Sequence, residues 1–327
     1  MIHSAFIIPL LACSALAQSW TDLSPVPLSA LQEHITLSPN PNQIITLGGM
    51  VGSNTTDTVF LYSIPNNTWT TLSPLPIPLN HPNAIVSPSS PSKIYLLGGL
   101  TAAPNWPATP NSYVYDVPSN TWRLLKPMPS ALARGSAASA IYNTTIFLAG
   151  GIPRSSGRTL DTVSAYHIPS DSWVTLPDAA SRLPAARDHA GYAQIGSKFF
   201  VIGGRENGVR AVKDTVFILD MADLGAGWKT SSARMPTARG GLVAAAVGSR
   251  IYTFGGEGNV KEGSRGVFDQ VEVYDSEGDQ WLTELEGVMR VPRHGTSAVS
   301  VDGRVYIPGG GVVEGVGATS GFDVFVP

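Results

Sequence analysis

The chain has 327 residues, of which 21 are Lys or Arg and 24 are Asp or Glu, so its formal net charge is −3. Hydrophobic residues make up 43% of the chain, which is too many for a disordered protein. A nucleic-acid-binding surface needs an excess of basic residues, and this composition has none, so no nucleic-acid partner is predicted. The 34 Gly and 26 Pro residues are typical of an all-β domain with many turns.

Residues 1–17 read as a secretory signal peptide. They contain no Lys, Arg, Asp or Glu, and the mostly apolar part, residues 5–17, is too short to span a bilayer. The sequence Ala15-Leu16-Ala17 supplies the small residues that precede a cleavage site. We therefore predict a secreted protein that begins at Gln18, with a retained N-terminal strand or anchor as the alternative. No later stretch is long and apolar enough to predict a membrane helix.

The single cysteine, Cys13, lies inside this predicted signal peptide. The mature chain would then have no thiol, so we predict no disulfide, no cysteine nucleophile and no cysteine-ligated metal in it. A chain of about 310 residues buries enough surface to fold without such cross-links.

A glycine pair recurs along the rest of the chain at intervals of 50 to 54 residues. Each pair ends an alternating apolar strand, and in four repeats a Trp follows the Tyr of the next strand by seven residues. A period near 50 with four short strands in each unit indicates a β-propeller. The pairs are Gly48-Gly49, Gly98-Gly99, Gly150-Gly151, Gly203-Gly204, Gly255-Gly256 and Gly309-Gly310, and the tryptophans are Trp20, Trp69, Trp122, Trp173, Trp228 and Trp281.

This combination of a glycine pair, an aromatic residue and a Trp resembles the kelch repeat of the galactose-oxidase and kelch superfamily. Its six copies cover essentially all of residues 18–327. The resemblance implies an all-β fold, a single six-bladed kelch β-propeller, and we expect the repeated aromatic residues to pack between its blades. The predicted blades span about residues 31–73, 81–126, 134–177, 187–231, 239–285 and 293–326.

The two ends of the repeat series complement each other. Trp20 has no preceding strands of its own repeat, and the last repeat lacks a Trp. We predict that residues 18–24 form the outer strand of the sixth blade, beside residues 294–326. Such pairing closes the ring and removes two exposed sheet edges.

The loops that enter the first strand of each repeat carry a second pattern. Four of them have an Arg after Ala or Pro, whereas repeats one and two have Glu33-His34 and Asn80-His81 instead. In kelch proteins that recruit partners, such arginines line the mouth of the channel and hold carboxylates; the alternative is a structural role. The predicted ligand-binding residues are Arg134, Arg187, Arg239, Arg293, His34, His81 and Trp106.

The loops between the second and third strands differ from repeat to repeat. Variation of this kind on a repeated scaffold is typical of residues that set specificity. Trp106 lies in one of these loops, where it could stack on a sugar or pack within the loop. The loops are residues 101–111, 153–161, 205–214, 257–269 and 312–321.

The sequence shows little of the chemistry that enzymes on related folds use. The copper-radical site of secreted kelch-type oxidases needs a cysteine, so that site is not predicted here. The histidines have no His-x-x-x-His spacing, and no metal or cofactor is predicted. Hydrolysis by paired carboxylates stays open, because several acidic residues could approach the channel mouth. These are Glu33, Asp188, Glu206 and Glu257.

The sequence therefore predicts a secreted, monomeric binding protein. Its ligand would be a small anionic molecule, a carbohydrate or an acidic segment of a partner protein, held at an arginine-lined channel mouth. The alternative is a cofactor-independent isomerase or cyclase on the same face, with Glu33 or His189 as the proton carrier. Three sequons, at Asn54, Asn66 and Asn143, predict N-glycosylation.

Overall fold

A computed structural model describes residues 18–154, 157–285 and 287–327, so the predicted signal peptide lies outside the described residues. Nearly all regular structure in these ranges is β-strand. No helix within them is long and apolar enough to cross a membrane. The helical elements described are three single-turn 3-10 helices, Ser130–Leu132, Asp178–Ala180 and Thr283–Leu285.

Six antiparallel sheets, each built on four strands, form the blades of a propeller, and five of them follow one another along the chain. The strands are short and apolar on both faces because each blade packs between two neighbours. After β1 (Ser19–Asp22), the first blade contains β2 (Ile35–Asn40), β3 (Gln43–Leu47), β6 (Val59–Ser63) and β7 (Thr68–Thr71), and carries the small hairpin β4 (Met50–Val51) and β5 (Asn54–Thr55).

Blades two to four repeat this order without interruption, from the innermost strand to the outermost. Blade two contains β8 (Ala84–Ser87), β9 (Ser90–Leu97), β10 (Ser112–Asp116) and β11 (Thr121–Leu125). Blade three contains β12 (Ala138–Tyr142), β13 (Thr145–Ala149), β14 (Val163–His167) and β15 (Ser172–Val174). Blade four contains β16 (Gly191–Ile195), β17 (Lys198–Ile202), β18 (Val216–Asp220) and β19 (Trp228–Thr230).

The last two blades complete the ring. Blade five contains β20 (Val243–Val247), β21 (Arg250–Phe254), β22 (Gln270–Asp275) and β23 (Gln280–Trp281), with β24 (Gly287–Val288) also pairing with β22. Blade six contains β25 (Val299–Val301), β26 (Arg304–Pro308) and β29 (Phe322–Val326), and carries the hairpin β27 (Gly311–Val313) and β28 (Val316–Ala318).

The fourth strand of blade six is β1, which pairs antiparallel with β29. Trp20 lies opposite Phe325 in this register, and the N–H of Leu23 extends the contact by donating to the carbonyl of Phe322 (2.8 Å). The predicted six-bladed fold and its closure by the N-terminal strand are both confirmed.

Each glycine pair lies where the backbones of two blades touch. The N–H of Gly256 donates to the carbonyl of Arg293 in the next blade (2.9 Å). The first glycine of the pair is as close: a Cβ on Gly255, whose φ is +56°, would lie 2.1 Å from that carbonyl oxygen. Only glycine satisfies both the positive φ and this approach.

The repeated Tyr and Trp residues join neighbouring blades, as expected for core residues. The Tyr62 and Trp69 rings are 5.0 Å apart, and the Tyr62 hydroxyl donates to Asn67 Oδ1 (2.7 Å) in the following turn. The indole N–H of Trp69 donates to the carbonyl of Ser24 (2.8 Å) in the preceding chain segment. Equivalent Tyr-to-turn bonds link Tyr115 to Asn120, Tyr166 to Asp171 and Tyr274 to Asp279.

Candidate functional site at the propeller axis

Six structurally equivalent residues, one from each blade, form a hydrogen-bonded ring on the axis. Each lies two to four residues before the innermost strand of its blade and has a positive φ. In five of the six links the N–H donates to the backbone carbonyl of the ring residue in the preceding blade; the His189 N–H instead meets the Ser136 hydroxyl (3.2 Å). The ring consists of Glu33, His81, Ser136, His189, Gly241 and Gly295.

The two glycines of the ring leave room for carboxylates. A Cβ on Gly295 would lie 2.2 Å from Glu33 Oε1, so no side chain fits there while Glu33 keeps its position. A Cβ on Gly241 would meet Glu257 and His294 at 3.3 to 3.4 Å, which is tight but not a direct clash. The non-glycine members hold an unfavourable left-handed backbone, which is typical of functional sites and costs about 1 kcal/mol or more for each residue.

The ring side chains belong to a buried cluster of ionisable groups. His81 Nε2 lies 3.0 Å from Glu33 Oε2 and 2.9 Å from His189 Nε2. His189 Nδ1 lies 2.6 Å from Asp188 Oδ1. The His81 and His189 side chains are 9% and 5% exposed, so these contacts form in a region of low polarity where charge interactions are strong.

Arg205 connects this cluster to a second carboxylate. Its guanidinium donates to Asp188 Oδ1 (3.0 Å) and Glu257 Oε1 (2.5 Å) and lies 3.1 Å from His189 Nε2. Glu257 Oε2 in turn accepts the N–H of Gly315 (2.9 Å) and lies 3.4 Å from His294 Nδ1. The cluster therefore draws on five of the six blades.

The burial of these groups changes their pKa values in different directions. Burial by itself would raise the pKa of Asp188. The neighbouring His189 and Arg205 have the larger effect and lower this pKa to about 2. Burial also raises the pKa of Glu33, and the neighbouring His81 outweighs that effect, so its pKa is well below the usual range. Burial and the positive charge of Arg205 lower the pKa of His189. Both carboxyl groups are therefore ionised at neutral pH.

A cavity of about 640 Å³ runs along the inner strands from this ring. Glu33, His81 and His189 line one end of it, and the remaining wall follows the innermost strands to the turns between the first and second strands. That turn-side end includes Ser38, Pro88, Gly196 and Ser300. No described residue of the variable loops between the second and third strands lines this cavity, although we expected the site among them.

The four arginines predicted to line the channel mouth lie inside the blades instead. Arg134 and Arg239 are fully buried, Arg293 is 1% exposed and Arg187 is 4% exposed. The Arg134 guanidinium donates to the carbonyls of Leu132 (2.9 Å), Gly150 (3.0 Å) and Thr162 (2.6 Å). These bonds fasten the loop between the second and third strands, so the prediction that the arginines bind a ligand was wrong in its placement of their side chains.

The other three arginines are held in the same way. Arg239 donates to the carbonyls of Gly255 (2.7 Å) and Gln270 (3.0 Å) and pairs with the buried Glu272 carboxylate (2.7 Å). Arg293 pairs with Asp323, and Arg187 donates to Thr215 Oγ1 (2.6 Å) and lies over the Phe217 ring. Partly or fully buried guanidinium groups with this many partners have a structural role.

Repeats one and two have leucine, not Glu33 and Asn80, at the position equivalent to these arginines. The carbonyls of Leu31 and Leu79 each accept the N–H of a glycine in the preceding blade, as the carbonyl of Arg293 does. Both leucine side chains are fully buried. Glu33 and His81 lie two residues later, in the axial ring, so the sequence comparison of these loops was displaced.

Two further predicted residues lie away from the centre of the cluster. His34 is buried and lines the cavity wall, and its burial lowers its pKa to about 4. Trp106 is not among the residues that line this cavity, and its indole nitrogen is buried without a hydrogen-bond partner among the described residues. Both interpretations of Trp106, ligand stacking and loop packing, stay predictions.

A second cavity, of about 750 Å³, lies beside the long loop of blade five. Lys261, Arg265 and Arg290 line it together with Glu262 and Asp269, so it offers charges of both signs. Arg290 already pairs with the carboxylate of Asp22. This cavity lacks the buried, convergent polar groups that distinguish the axial site.

The three predicted glycosylation residues are exposed. Asn54 lies in β5, Asn66 in the turn before β7, and Asn143 in the turn between β12 and β13. Their accessibility fits the sequons, and their modification stays a prediction.

Arg205 is a central member of the cluster that was not singled out from the sequence. It directly follows the pair Gly203-Gly204, and Glu257 directly follows Gly255-Gly256. The residues in this position of the other blades are Met50, Leu100, Ile152 and Gly311. A charged residue at an otherwise uncharged repeat position was the available signal.

Comparison with known proteins identifies the repeats. The KLHDC2/KLHL20/DRC7 Kelch-repeats domain matches residues 81–310, and the Kelch motif matches residues 40–76. Together these matches include all but the N-terminal part of the first blade and the end of the last.

Three curated relatives show how far the similarity extends. Kelch-like protein terF of Aspergillus terreus is 36% identical over 324 residues, which covers 94% of this chain and 68% of that protein. Kelch domain-containing protein 3 of Homo sapiens is 24% identical over 67% of this chain and 61% of its own length. Beta-scruin of Limulus polyphemus is 28% identical over 55% of this chain and 19% of its own length. The chain thus spans less than two thirds of the latter two proteins.

Proposed function

This chain belongs to the kelch-repeat family of β-propeller proteins, and we propose that it binds a small, hydroxyl-rich ligand, such as a carbohydrate, in its central channel. A binding role is the general use of kelch propellers, and the axial cavity gives that role a location here. The ligand's polar end would lie against Glu33, His81 and His189, and its remainder against the inner strands.

The observation that supports this proposal most is a cavity of suitable size in which the charged side chains lie at one end. Its volume of about 640 Å³ is within the range of roughly 300 to 1,000 Å³ that is usual for small-molecule sites. Much of the wall is apolar, from residues such as Ile85, Leu242 and Val243, and the few charged groups converge at one end. Sites of this kind fix a ligand's orientation with a small number of polar contacts.

The charges of the axial cluster favour a ligand with hydroxyl groups over an anion. Glu33, Asp188 and Glu257 supply three carboxylates, whereas Arg205 supplies one guanidinium that Asp188 and Glu257 already engage. Carboxylates accept hydrogen bonds from hydroxyl groups and repel anions. The prediction of an anionic ligand, which depended on the arginines, therefore loses its main support. The carbohydrate alternative did not depend on them and is favoured by the carboxylates.

Ligand-observed NMR with a panel of neutral sugars, polyols and organic acids tests the proposal. We expect saturation transfer to at least one hydroxyl-rich compound, and we expect Glu33→Gln to weaken that binding at least about tenfold through loss of a charged hydrogen bond. Asn54→Gln, at an exposed position outside the cavity lining, is the control and should bind like the parent. Binding restricted to organic acids, or equal in Glu33→Gln, would contradict the proposal; a new product signal would indicate the isomerase or cyclase alternative.

We also propose that the protein is secreted and glycosylated. The support is the sequence of residues 1–17 and the exposure of Asn54, Asn66 and Asn143. Expression of the full chain in a eukaryotic secretory host should release protein that begins at Gln18 into the medium. Enzymatic removal of N-glycans should then lower its apparent mass, and full-length protein retained in the cell would refute the proposal.

A further inference from the structure

We propose that Glu33, His81 and His189 form a binding site for a divalent transition-metal ion on the propeller axis. No metal site could be predicted from the sequence, because these residues come from three different blades and have no local spacing. The inference depends on which nitrogen of each imidazole carries a proton, and the neighbouring groups determine that. It does not depend on the ligand proposed above.

Asp188 fixes the proton of His189 on Nδ1. Asp188 Oδ1 accepts the Arg205 Nε–H (3.0 Å) and lies 2.6 Å from His189 Nδ1, so this oxygen is placed as an acceptor toward both groups. Nδ1 therefore donates. Arg205 Nη2, which can only donate, lies 3.1 Å from Nε2 of the same ring. His189 Nε2 is thus an unprotonated nitrogen with its lone pair directed into the site.

Asn80 fixes a proton on Nδ1 of His81. The Asn80 amide nitrogen donates to Thr55 Oγ1 (2.7 Å) and to the carbonyl of Thr101 (3.1 Å). Because a carbonyl cannot donate, this bond determines the orientation of the amide and directs Asn80 Oδ1 toward His81 Nδ1, 2.6 Å away. His81 Nδ1 therefore also donates, and His81 Nε2 faces the site.

Three atoms that act as acceptors thus converge. Two Nε2 atoms lie 2.9 Å apart, and Glu33 Oε2 lies 3.0 Å from His81 Nε2. All three ligand positions lie within 4.8 Å of one another. Two neutral imidazoles in this arrangement would repel each other, so a cation must lie between them: an extra proton on His81, or a metal ion.

The spacing of the two ligand pairs that include His81 Nε2 fits a metal ion. Bonds of about 2.1 Å at right angles place two ligand atoms about 3.0 Å apart. The two separations from His81 Nε2 match that value. Two histidines and one carboxylate are also a ligand set that suits zinc, iron and similar ions.

The charge of the cluster fits as well. With neutral imidazoles, the carboxylates of Glu33, Asp188 and Glu257 and the guanidinium of Arg205 sum to a charge of −2. Uncompensated charge is costly in a buried site. One divalent cation neutralises it, whereas a single proton on His81 leaves a charge of −1.

The surroundings supply the other parts of a metal site. Asn80 and Asp188 accept the second N–H of each histidine, as the outer partners of metal-bound histidines do. Glu33, His81 and His189 all line the channel cavity, which gives an ion a path to them. Arg205 Nη2 would withdraw from His189 Nε2, and its bonds to Asp188 and Glu257 would hold the guanidinium nearby.

Titration with Co²⁺ and Zn²⁺ tests the site. The mature protein, purified without a polyhistidine tag, is stripped with EDTA, dialysed, and titrated with Co²⁺ by visible absorption and with Zn²⁺ by calorimetry. We expect one equivalent of each ion to bind, with d–d bands for Co²⁺ that report nitrogen and oxygen ligands. Mass spectrometry of the unstripped protein should find a near-stoichiometric transition metal.

Substitutions locate the site. Glu33→Gln, His81→Gln and His189→Gln should each weaken Zn²⁺ binding at least about 100-fold, and Asp188→Asn, which acts through His189, about 10- to 100-fold. His167→Gln is the matched control, since His167 is the last residue of β14 and its ring Nδ1 lies 2.8 Å from the Ser170 hydroxyl, away from the axial cluster. Circular dichroism checks the fold of each variant, and Glu33→Gln carries the test if a histidine variant does not fold.

Two results would overturn the proposal. The first is parent protein that takes up neither ion at one equivalent; a downfield proton resonance assigned to His81 would then show that a proton holds the two imidazoles together. The second is one-equivalent binding that survives in Glu33→Gln and in every folded histidine variant. Failure of sugar binding would leave the metal titration unaffected, so the two proposals are tested separately.

Discussion

Trp20 lies directly opposite Phe325 in blade six, and the centroids of their rings are 4.9 Å apart. This contact joins the first described strand to the last. Trp20 also meets Phe254 of blade five edge to face, at 5.9 Å, so the strand contacts two blades at once. The strand covers the outer edge of β29, while backbone hydrogen bonds such as that from the Leu31 N–H to the carbonyl of Thr319 (3.0 Å) join blades one and six directly.

Removal of the closing strand should destabilise the whole domain. A chain that begins at Pro25 loses the four pairs between β1 and β29 and the burial of Trp20. We expect a loss of at least about 3 kcal/mol in the free energy of unfolding, the usual cost of deleting a packed Trp. Urea denaturation followed by circular dichroism measures it, and Trp20→Ala separates the side chain's share from that of the strand. A truncated chain as stable as the parent would contradict the closure.

Loss of a buried arginine should affect stability and leave the axial site intact. Arg239→Met would leave the Glu272 carboxylate buried without its 2.7 Å partner. Breaking a buried ion pair on one side costs about 3 to 5 kcal/mol. We expect that loss in urea denaturation, together with unchanged affinity of the folded protein for any channel ligand.

The control for that experiment is an exposed arginine with an equally good carboxylate partner. Arg182 is 63% exposed and donates to both oxygens of Asp161 at 2.8 and 2.9 Å. Arg182→Met should change stability by no more than about 1 kcal/mol. If Arg239→Met were as stable as Arg182→Met but failed to bind ligand, the original mouth hypothesis for the arginines would be right.

The fold could be predicted because its signals are local and repeat six times. A glycine pair followed by a Trp some 20 residues later identifies one blade, and the repeat period of about 50 residues indicates that the blades form a ring. Burial of the arginines could not be predicted in this way. A sequence such as Ala133-Arg134-Gly135 looks the same at a pocket mouth as it does inside a blade, where carbonyls such as that of Gly150 accept its hydrogen bonds.

The axial site was hidden by small irregularities in the first two blades. The register between β2 and β3 shifts between Leu37 and Asn40, and that between β8 and β9 shifts between Val86 and Ser87. The other four ring residues lie 14 residues before the first glycine of their pair, whereas Glu33 and His81 lie 15 and 17 residues before it, so spacing alone does not align these two with the ring. Their contact with His189 depends on the meeting of three blades on an axis, which no local pattern shows.

The two ring glycines should differ in their tolerance of a methyl group. Gly295 and Gly241 have similar φ values, +53° and +61°, so alanine strains the backbone equally at both. A Cβ at Gly295 would also collide with Glu33 Oε1, at 2.2 Å. We expect Gly241→Ala to cost about 1 kcal/mol and Gly295→Ala at least about 1 kcal/mol more.

Glu33→Ala should rescue Gly295→Ala, because it removes the carboxylate with which the new methyl group collides. The double variant should therefore be more stable than the sum of the two single changes predicts. Thermal unfolding of the four proteins measures this coupling. Equal effects of Gly241→Ala and Gly295→Ala, or no coupling to Glu33, would show that the carboxylate is not held against Gly295.

Asp171 should make the stability of blade three depend on pH, and Asn120 should not do the same in blade two. The two residues occupy equivalent turns with φ of 45° and 54°. Asp171 Oδ1 accepts the Tyr166 hydroxyl (2.6 Å) and the N–H of Lys126 (2.8 Å), as Asn120 Oδ1 accepts Tyr115 and the N–H of Ser73. The Tyr166 hydroxyl and the Lys126 N–H lower the pKa of Asp171.

The sign of the effect follows from that direction. A carboxyl group whose pKa is lower in the folded state stabilises the fold above its unfolded pKa, which is about 3.9, and loses that contribution as the pH falls through the folded pKa. Asp171→Asn keeps the acceptor oxygen and removes the ionisation. The parent's advantage in the free energy of unfolding over Asp171→Asn should thus be larger at pH 7 than at pH 3.

Asn120→Asp provides the mirror experiment, since it places an ionisable group between the same kinds of donor. Its stability relative to the parent should rise from pH 3 to pH 7, opposite in sign to Asp171→Asn. Urea denaturation of all three proteins at both pH values gives the comparison. The pH-dependent contributions of the other carboxyl groups are the same in the three proteins, so they cancel when each variant is compared with the parent. A pH dependence that is identical in the parent and in both variants would mean that these turn bonds are no stronger to a carboxylate than to an amide.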